Sequence, residues 1–504
     1  MPRATTLLAV VVAMLAGIVG WPLVMVFGSA AAAGWRVATT VLIPLAFSML
    51  VATAATIVTL ALAVGLASAV TRGRIAVRGV VAAALVLLLV TPPATVALAI
   101  RFALDAGGAL PLGTPAGALA VAVAQVVALT PHAFVVVVNA LGRIGPDVEH
   151  AAVSLGAAPV AAFRRTTLAL LRRGIGCAAG VVWALALTDL ASPLLVGGAA
   201  PFLAPEVVAA VRQGRIDAAS VGAAALTAPA LVAWIVALRL GWTRLAPLAT
   251  ERLAGGSPAA AARRTWSVVA TVIAGLMAVP ALAMPFVWLR NTSTVAFDDV
   301  AAVIARGLLV AVSVAIAGTI AAFVVAIAAT RSAGARSRAA VWLALSTAGV
   351  PGVALALGAV VAFHVSPASP APWVLIALLA AWKLPAAVTL ATRRLDALDP
   401  ALEEAAVSLG ASEATIARRI MIPLVAPTAG AMFLDLVVQT LTSTGLLLLF
   451  APDLVAAVAV VSRGVAGDAG GAAAVATVLG AVVLVVTLVR LRLVSREPLA
   501  LLPA

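Results

Sequence analysis

The sequence predicts an all-α integral membrane protein of about twelve spanning helices, built as two parallel six-helix repeats. Three observations predict it. The chain of 504 residues is 64% hydrophobic and only 10% charged, too little charge to cover a soluble core of that size. Continuous apolar runs of about 20 residues recur along it, the length at which a helix crosses a bilayer's hydrocarbon. They do not alternate, which argues against a transmembrane barrel. The segment Glu149-His150-Ala151-Ala152-Val153-Ser154-Leu155-Gly156-Ala157 recurs half a chain later as Glu403-Glu404-Ala405-Ala406-Val407-Ser408-Leu409-Gly410-Ala411, the mark of a duplicated architecture.

The elements follow from the apolar runs. The first half, 1–240, holds candidate spans at 7–28, 43–70, 79–101, 116–141, 174–198 and 219–240, by length and hydropathy. Met1-Pro2-Arg3 followed by Leu7 to Val19 resembles a signal peptide. The run continues through Trp21 to Phe27, long enough to span, so an uncleaved first helix is expected. The segment 241–265 carries Arg244, Arg252, Gly255, Gly256, Pro258, Arg263 and Arg264 and reads as a cytoplasmic linker. The second half, 266–504, holds candidate spans at 266–289, 304–330, 339–363, 372–392, 427–450 and 470–491.

Charge orients these spans. The net charge of +14 invites a nucleic-acid reading. An excess of Lys and Arg in cytoplasmic loops accounts for it better. With the N-terminus inside and each span reversing the side, most of the 32 Lys and Arg fall inside. They include Arg72, Arg74 and Arg78, Arg164 and Arg165, Arg393 and Arg394, and Arg490 at the cytoplasmic end of the last span. Both termini are then cytoplasmic. An even number of spans per half gives the halves one orientation, related by an axis along the membrane normal, with a solute pathway between them.

Each copy of the repeated segment falls on the cytoplasmic side, at 146–168 and 400–423. Asp399 is placed to cap a helix beginning at Pro400, with Glu403 and Glu404 near its positive end. Gly410 breaks that helix by taking a backbone conformation that a Cβ resists. Ser412 caps a second short helix, with Glu413 at its start and Arg418-Arg419 near its negative end. The first copy has Pro159 in place of Glu413. A helix–turn–helix standing off the membrane is expected in each half, with Val407, Leu409, Ile416 and Ile420 available to anchor it to the helices or to a partner.

Glu404-Ala405-Ala406, then Gly410, then Ile420 and Ile422-Pro423 resembles the EAA loop of ABC-importer permeases. The resemblance implies type I ABC permease repeats whose loops dock in a cleft of a cytoplasmic ATPase. It assigns that coupling role to Glu403, Glu404, Ala405, Gly410 and Pro423, and to Glu149, Ala151 and Gly156 in the first half. The first copy departs from the pattern: His150 stands for the Glu, with Glu149 beside it, and Thr166 and Ala169 replace the Ile and Pro. Two such loops in one chain resemble the fused permeases of the ferric-iron, 2-aminoethylphosphonate and thiamine importers. Thr188-Asp189-Leu190-Ala191-Ser192-Pro193, continuing to Gly197-Gly198, and Thr442-Ser443-Thr444 with Phe450-Ala451-Pro452-Asp453 resemble stretches of the same proteins. The resemblance further implies two ATP-binding subunits, a periplasmic or lipid-anchored solute-binding protein, and a bacterial inner membrane.

The chain contains no Gly-x-x-x-x-Gly-Lys-Ser/Thr, and its only Lys is Lys383. ATP is therefore expected on a partner, with no cofactor or metal on this chain. One Cys, Cys177, and three scattered His suggest neither a disulfide nor a metal cluster. Polar residues inside spans are costly and become candidates for the pathway. These are Asp189, Ser192, Lys383, Asp435, Gln439 and Ser443. Lys383 either faces the pathway, where it favours an anionic solute, or snorkels from a helix that ends early. Asp435 and Gln439 are four residues apart and share a helix face. They serve either interhelical hydrogen bonds or the pathway. Gln125, His132 and Asn139 read as packing or interface residues. The alternative function is an ion-gradient-driven secondary transporter of two parallel six-span halves, using Asp189 and Asp435. A membrane enzyme finds no nucleophile–base pair or clustered His to support it.

Overall fold

The structure is a computed structural model. It describes residues 9–10, 12–72, 75–104, 117–242, 260–290, 297–331, 335–365, 372–399, 401–450 and 455–494. The described residues are helical, with no strand among them. Ten helices are long and apolar enough to cross a membrane, or up to twelve if two sharply bent pairs each count as one span. The expected linker lies mostly outside the described residues, at 243–259.

The first half runs α1 (Trp21–Ala32), α2 (Leu42–Arg72), α3 (Ile75–Val90), α4 (Pro93–Leu104), α5 (Ala118–Leu141), α6 (Asp147–Ser154), α7 (Pro159–Ala162), α8 (Leu168–Leu187), α9 (Ala191–Val196), α10 (Leu203–Arg212) and α11 (Ile216–Leu240). The second repeats the order: α12 (Ala260–Arg290), α13 (Phe297–Arg331), α14 (Ala335–Ser346), α15 (Gly352–Phe363), α16 (Pro372–Asp396), α17 (Ala401–Ser408), α18 (Glu413–Ile416), α19 (Ile422–Leu441), α20 (Leu447–Phe450), α21 (Ala456–Val465) and α22 (Ala469–Val494). Apart from a short helix, Trp35–Thr40, that precedes α2 and has no counterpart among the described residues, the duplication seen in one short segment extends through the helix order of both halves.

The expected straight spans at 79–101 and 339–363 are corrected by the structure. The chain bends by 99° between α3 and α4 and by 107° between α14 and α15. Proline sets both bends. Pro92 and Pro93 lack backbone donors, and the residue before a proline is driven out of the helical region. In the second half Val350 and Pro351 are extended, with ψ of 123° and 134°. Apolar composition is blind to such breaks, because both arms are equally apolar.

The spans expected at 174–198 and 427–450 are also displaced. Candidate spans cover Pro159–Leu187 and Arg418–Leu441 instead. Each helix then stops at Thr188 or Thr442, whose hydroxyl donates to a carbonyl of its own last turn, Ala184 or Val438. The short helices α10 and α21 follow, and tight turns at Gly214 (φ +70°) and Gly467 (φ +84°) lead into α11 and α22. These glycines occupy the left-handed region that a Cβ disfavours.

The halves interlock. The first helix of each packs on the bent pair of the other: α1 against α15, and α12 against α3 and α4. At Gly358 an added Cβ would sit 2.7 Å from Pro22, so α1 approaches α15 as backbone against backbone. One continuous apolar core crosses both halves. Leu42, Ile43, Leu50 and Ile57 on α2, and Leu309, Ile316 and Ile320 on α13, are large apolar side chains left on the outside. An outer surface of that kind suits lipid rather than water.

Candidate functional site

Two features converge on function: the paired turn elements, and a cavity between the halves. In the first element α6 ends in Gly156, at φ +89°. The Gly156 and Ala157 N–H groups donate to Val153 O (2.9 Å) and Ala152 O (3.1 Å). In the second element α17 ends in Gly410, at φ +80°. There the Gly410 and Ala411 N–H groups donate to Val407 O (2.9 Å) and Ala406 O (3.0 Å). This is the same glycine-capped helix end twice, as the spacing predicts. The expected caps form as well. Asp399 Oδ1 accepts from Ala401 N at 2.9 Å, and Ser412 Oγ accepts from Thr415 N at 3.3 Å. Pro400 lies outside the described residues.

One expectation fails in both copies. The second short helix does not stand apart from the membrane helix. It runs through a π-turn, Phe163–Thr167 or Ala417–Met421, directly into α8 or α19. The turn and the membrane helix are thus one continuous helical segment.

The side chains at the two turns divide sharply. Leu155 and Leu409 are 90% and 87% exposed at the tips. Val160 and Val407 are exposed beside them, so Val407 and Leu409 do not anchor inward, whereas Ile416 is buried. Ala151, Glu404, Ala405 and Pro423 are exposed, and Glu403 is half-buried. Glu149, expected on the docking surface, is buried instead. Its Oε1 accepts from Arg72 Nε at 3.2 Å and from Thr167 Oγ1 at 2.7 Å. Arg72 Nη2 also donates to Ile144 O at 3.1 Å. Glu149 therefore fastens α6 to the ends of α2 and α8. In the second half Arg394 donates to Leu424 O, at 3.2 Å from Nε and 2.7 Å from Nη2, and ties the end of α16 to the start of α19. Arg143 and Arg393, which precede the two elements, act on each other electrostatically, so both elements emerge at one end of the bundle.

The cavity has a volume of about 360 Å3 and takes its walls from both halves. Asp189, Lys383, Asp435, Gln439 and Ser443 all line it. Ser192, also expected there, does not. It is buried in α9, and its backbone N–H donates to Asp189 Oδ1 at 3.4 Å. Ala191 N donates to the same oxygen at 3.1 Å, so Asp189 caps α9. Gln125 Nε2 reaches Asp189 Oδ2 at 3.4 Å and donates to Ala186 O at 2.9 Å. Opposite, Gln439 Nε2 donates to Asp435 Oδ2 at 2.8 Å, the four-residue pair expected on α19. Lys383 lies inside the unbroken helix α16 with its ammonium 4.1 Å from the Trp382 ring centroid, so it faces the cavity and does not snorkel from a helix end.

The charge pattern places Arg490 at a cytoplasmic helix end. The structure places it in the cavity wall, 7% exposed, with Nη1 3.5 Å from Asp435 Oδ1. Its partner sits on another helix, and a charge count along the chain carries no signal of that. Gln125 and His132, expected as packing or interface residues, line the cavity too. Asn139 is buried, and it is not part of the wall.

No protein-family model matches the chain, and no solved structure does. A putative ferric transport system permease protein of Haemophilus influenzae is 27% identical over 146 residues, which is 27% of this chain and 23% of that protein. A ferric transport system permease protein of Actinobacillus pleuropneumoniae is 29% identical over 100 residues, 20% of this chain and 15% of that protein. The chain thus spans less than a quarter of the length of either relative in the matched region. Over those stretches it is similar to ferric transport system permeases, the kind of membrane protein that its Glu404-Ala405-Ala406 segment resembles.

Proposed function

We propose that the chain is the membrane subunit of an ATP-driven ABC importer of the inner membrane, with both permease halves, 1–240 and 266–504, joined by the cytoplasmic linker 241–265. The observation that carries this reading is the pair of glycine-capped turns at one end of the bundle. Each presents an exposed Leu, and each is continuous with a helix that reaches the cavity wall. Each turn docks one ATP-binding subunit through 146–168 or 400–423, with Glu404, Ala405, Gly410 and Pro423 at the second contact and Ala151 and Gly156 at the first. Closure of the ATPase pair moves α8 and α19 as rods and switches access to the cavity, a rigid-body transition. A binding protein delivers solute at the opposite face, and both termini lie with the ATPases. The chain itself makes and breaks no covalent bond. The names of the two relatives make ferric iron the first solute to test.

The test is Gly410→Pro combined with Glu404→Arg. Proline cannot take the positive φ of that turn. Uptake falls and co-purification of the ATPase weakens, while the chain still inserts. Unchanged uptake removes the coupling role. Uptake driven by an ion gradient in liposomes without any ATPase would establish the secondary-transporter alternative instead.

A further inference from the structure

We infer that the cavity between the halves is an oxyanion site, and that the solute crosses as an anion seated between Lys383 and Arg490. The inference rests on the importer reading for its setting, and on the cavity chemistry for its content. Four charged side chains line the cavity: Asp189, Lys383, Asp435 and Arg490. The two carboxylates are already engaged. Asp435 holds Arg490 and Gln439, and Asp189 caps α9 and meets Gln125. The two cations share one carboxylate: Asp435 pairs with Arg490 and attracts Lys383 from beyond ion-pair distance. Lys383 makes no ion pair within 4.0 Å among the described residues, and its ammonium has the Trp382 ring beside it. Arg490 is 7% exposed, and its Nε has no hydrogen-bond partner. Two buried cations on one carboxylate are incompletely compensated, and a buried donor without an acceptor adds to that cost. A ligand with two or more acceptor oxygens and negative charge removes both deficits together.

The remaining wall suits such a ligand. Gln125 Oε1 is a buried acceptor without a partner, able to take the proton of a partly protonated oxyacid or a hydroxyl on its body. The volume of about 360 Å3 lies in the small-molecule range. A bare metal cation fits poorly. Among the described residues, no three His, Cys, Asp or Glu side chains come together to hold one. The two carboxylates present are occupied, and the donors still without an acceptor belong to Lys383 and Arg490. The position matching Lys383 in the first half is Leu129, so the cationic wall is a property of the second half alone. The shared chemistry is a carboxylate- or phosphonate-type oxyanion, either free or as the outer surface of an anionic metal chelate.

The experiment uses the full-length purified chain in lipid nanodiscs. Citrate, methylphosphonate, ferric citrate, choline and hexaamminecobalt(III), a soluble trivalent cation, are titrated by calorimetry. At least one oxyanion probe binds saturably, and the two cations do not. Lys383→Met weakens that binding by about tenfold or more, while Lys383→Arg keeps it within about threefold, the charge-assisted contact being retained. The arginine variant separates loss of charge from loss of fold. Binding of citrate or methylphosphonate alone identifies a free acid as the solute form, and binding of ferric citrate alone identifies a chelate. The inference is overturned if no oxyanion binds, if Lys383→Met binds as well as the unaltered chain, or if hexaamminecobalt(III) binds as tightly as the anions. Failure here leaves ATPase docking by the Gly410 turn untouched. Conversely, a docking failure leaves anion binding by the isolated chain intact.

Discussion

The two turn elements share a backbone and differ in how they are held. Both end a helix at a left-handed glycine with the same pair of carbonyl bonds, and both pass through a π-turn into a membrane helix. The first is clamped from inside, by Glu149 on Arg72 and Thr167. The second is capped at both of its short helices, by Asp399 and Ser412, and presents Glu404 outward. A duplicated motif thus preserves the conformation that glycine spacing dictates, while the side chains that fix or expose it diverge. The first copy looks built for rigidity, and the second for contact.

The largest effect expected from this difference comes from the clamp. Arg72→Ala leaves Glu149 buried with only Thr167 beside it, and removing one partner of a buried pair costs about 3 kcal/mol. The thermal midpoint of the purified chain falls clearly. Glu404→Gln, at an exposed position, changes stability by no more than about 0.5 kcal/mol and acts on ATPase co-purification instead. Equal midpoints for the two variants would erase the distinction between clamp and contact.

The glycines sharpen the comparison from the other side. No neighbour lies within 4 Å of a Cβ added at Gly156 or Gly410. The cost of alanine at either is therefore conformational, about 1 kcal/mol, and the same in both copies. Matched losses in stability with a larger loss of uptake for Gly410→Ala would locate the stronger docking contact in the second copy. Leu155→Asp and Leu409→Asp test the tips directly. Each leaves the midpoint unchanged because the side chain is already in solvent, and each weakens ATPase co-purification, Leu409→Asp more so.

These contrasts also show what a sequence displays and what it hides. Gly156, Gly410, Asp399, Ser412 and the Asp435–Gln439 pair were legible because each depends on neighbours within five residues. The bends at Pro92–Pro93 and Pro351 leave hydropathy unchanged, so length alone counts straight spans where the chain turns by about a right angle. Glu149 and Arg490 were misplaced for a common reason. Each is a charged residue whose partner, Arg72 or Asp435, lies on another helix, and burial of such pairs is set by packing that no local pattern encodes. The cavity followed the same division. Its polar residues on α16 and α19 stood out against apolar spans, whereas Gln125 and His132 on α5 look like ordinary interhelical glue until the opposite half is in place.

The smallest effect is also the cleanest way to convert one copy toward the other. Ser412 caps α18, and its counterpart Ala158 precedes α7 with an extended backbone (φ −61°, ψ 144°), the conformation that a capping residue adopts, yet has no side chain to offer. Ser412→Ala costs about 1 kcal/mol or less, and Ala158→Ser returns a similar amount in the first copy. Because Ala158 is exposed, the added hydroxyl meets no packing penalty. A gain at 158 paired with a loss at 412, read as opposite shifts of the thermal midpoint, would show that the two elements are one design with exchangeable parts. No gain at 158 would mean that Pro159 already fixes the start of α7, so that a hydroxyl accepting from the Ala161 N–H adds nothing.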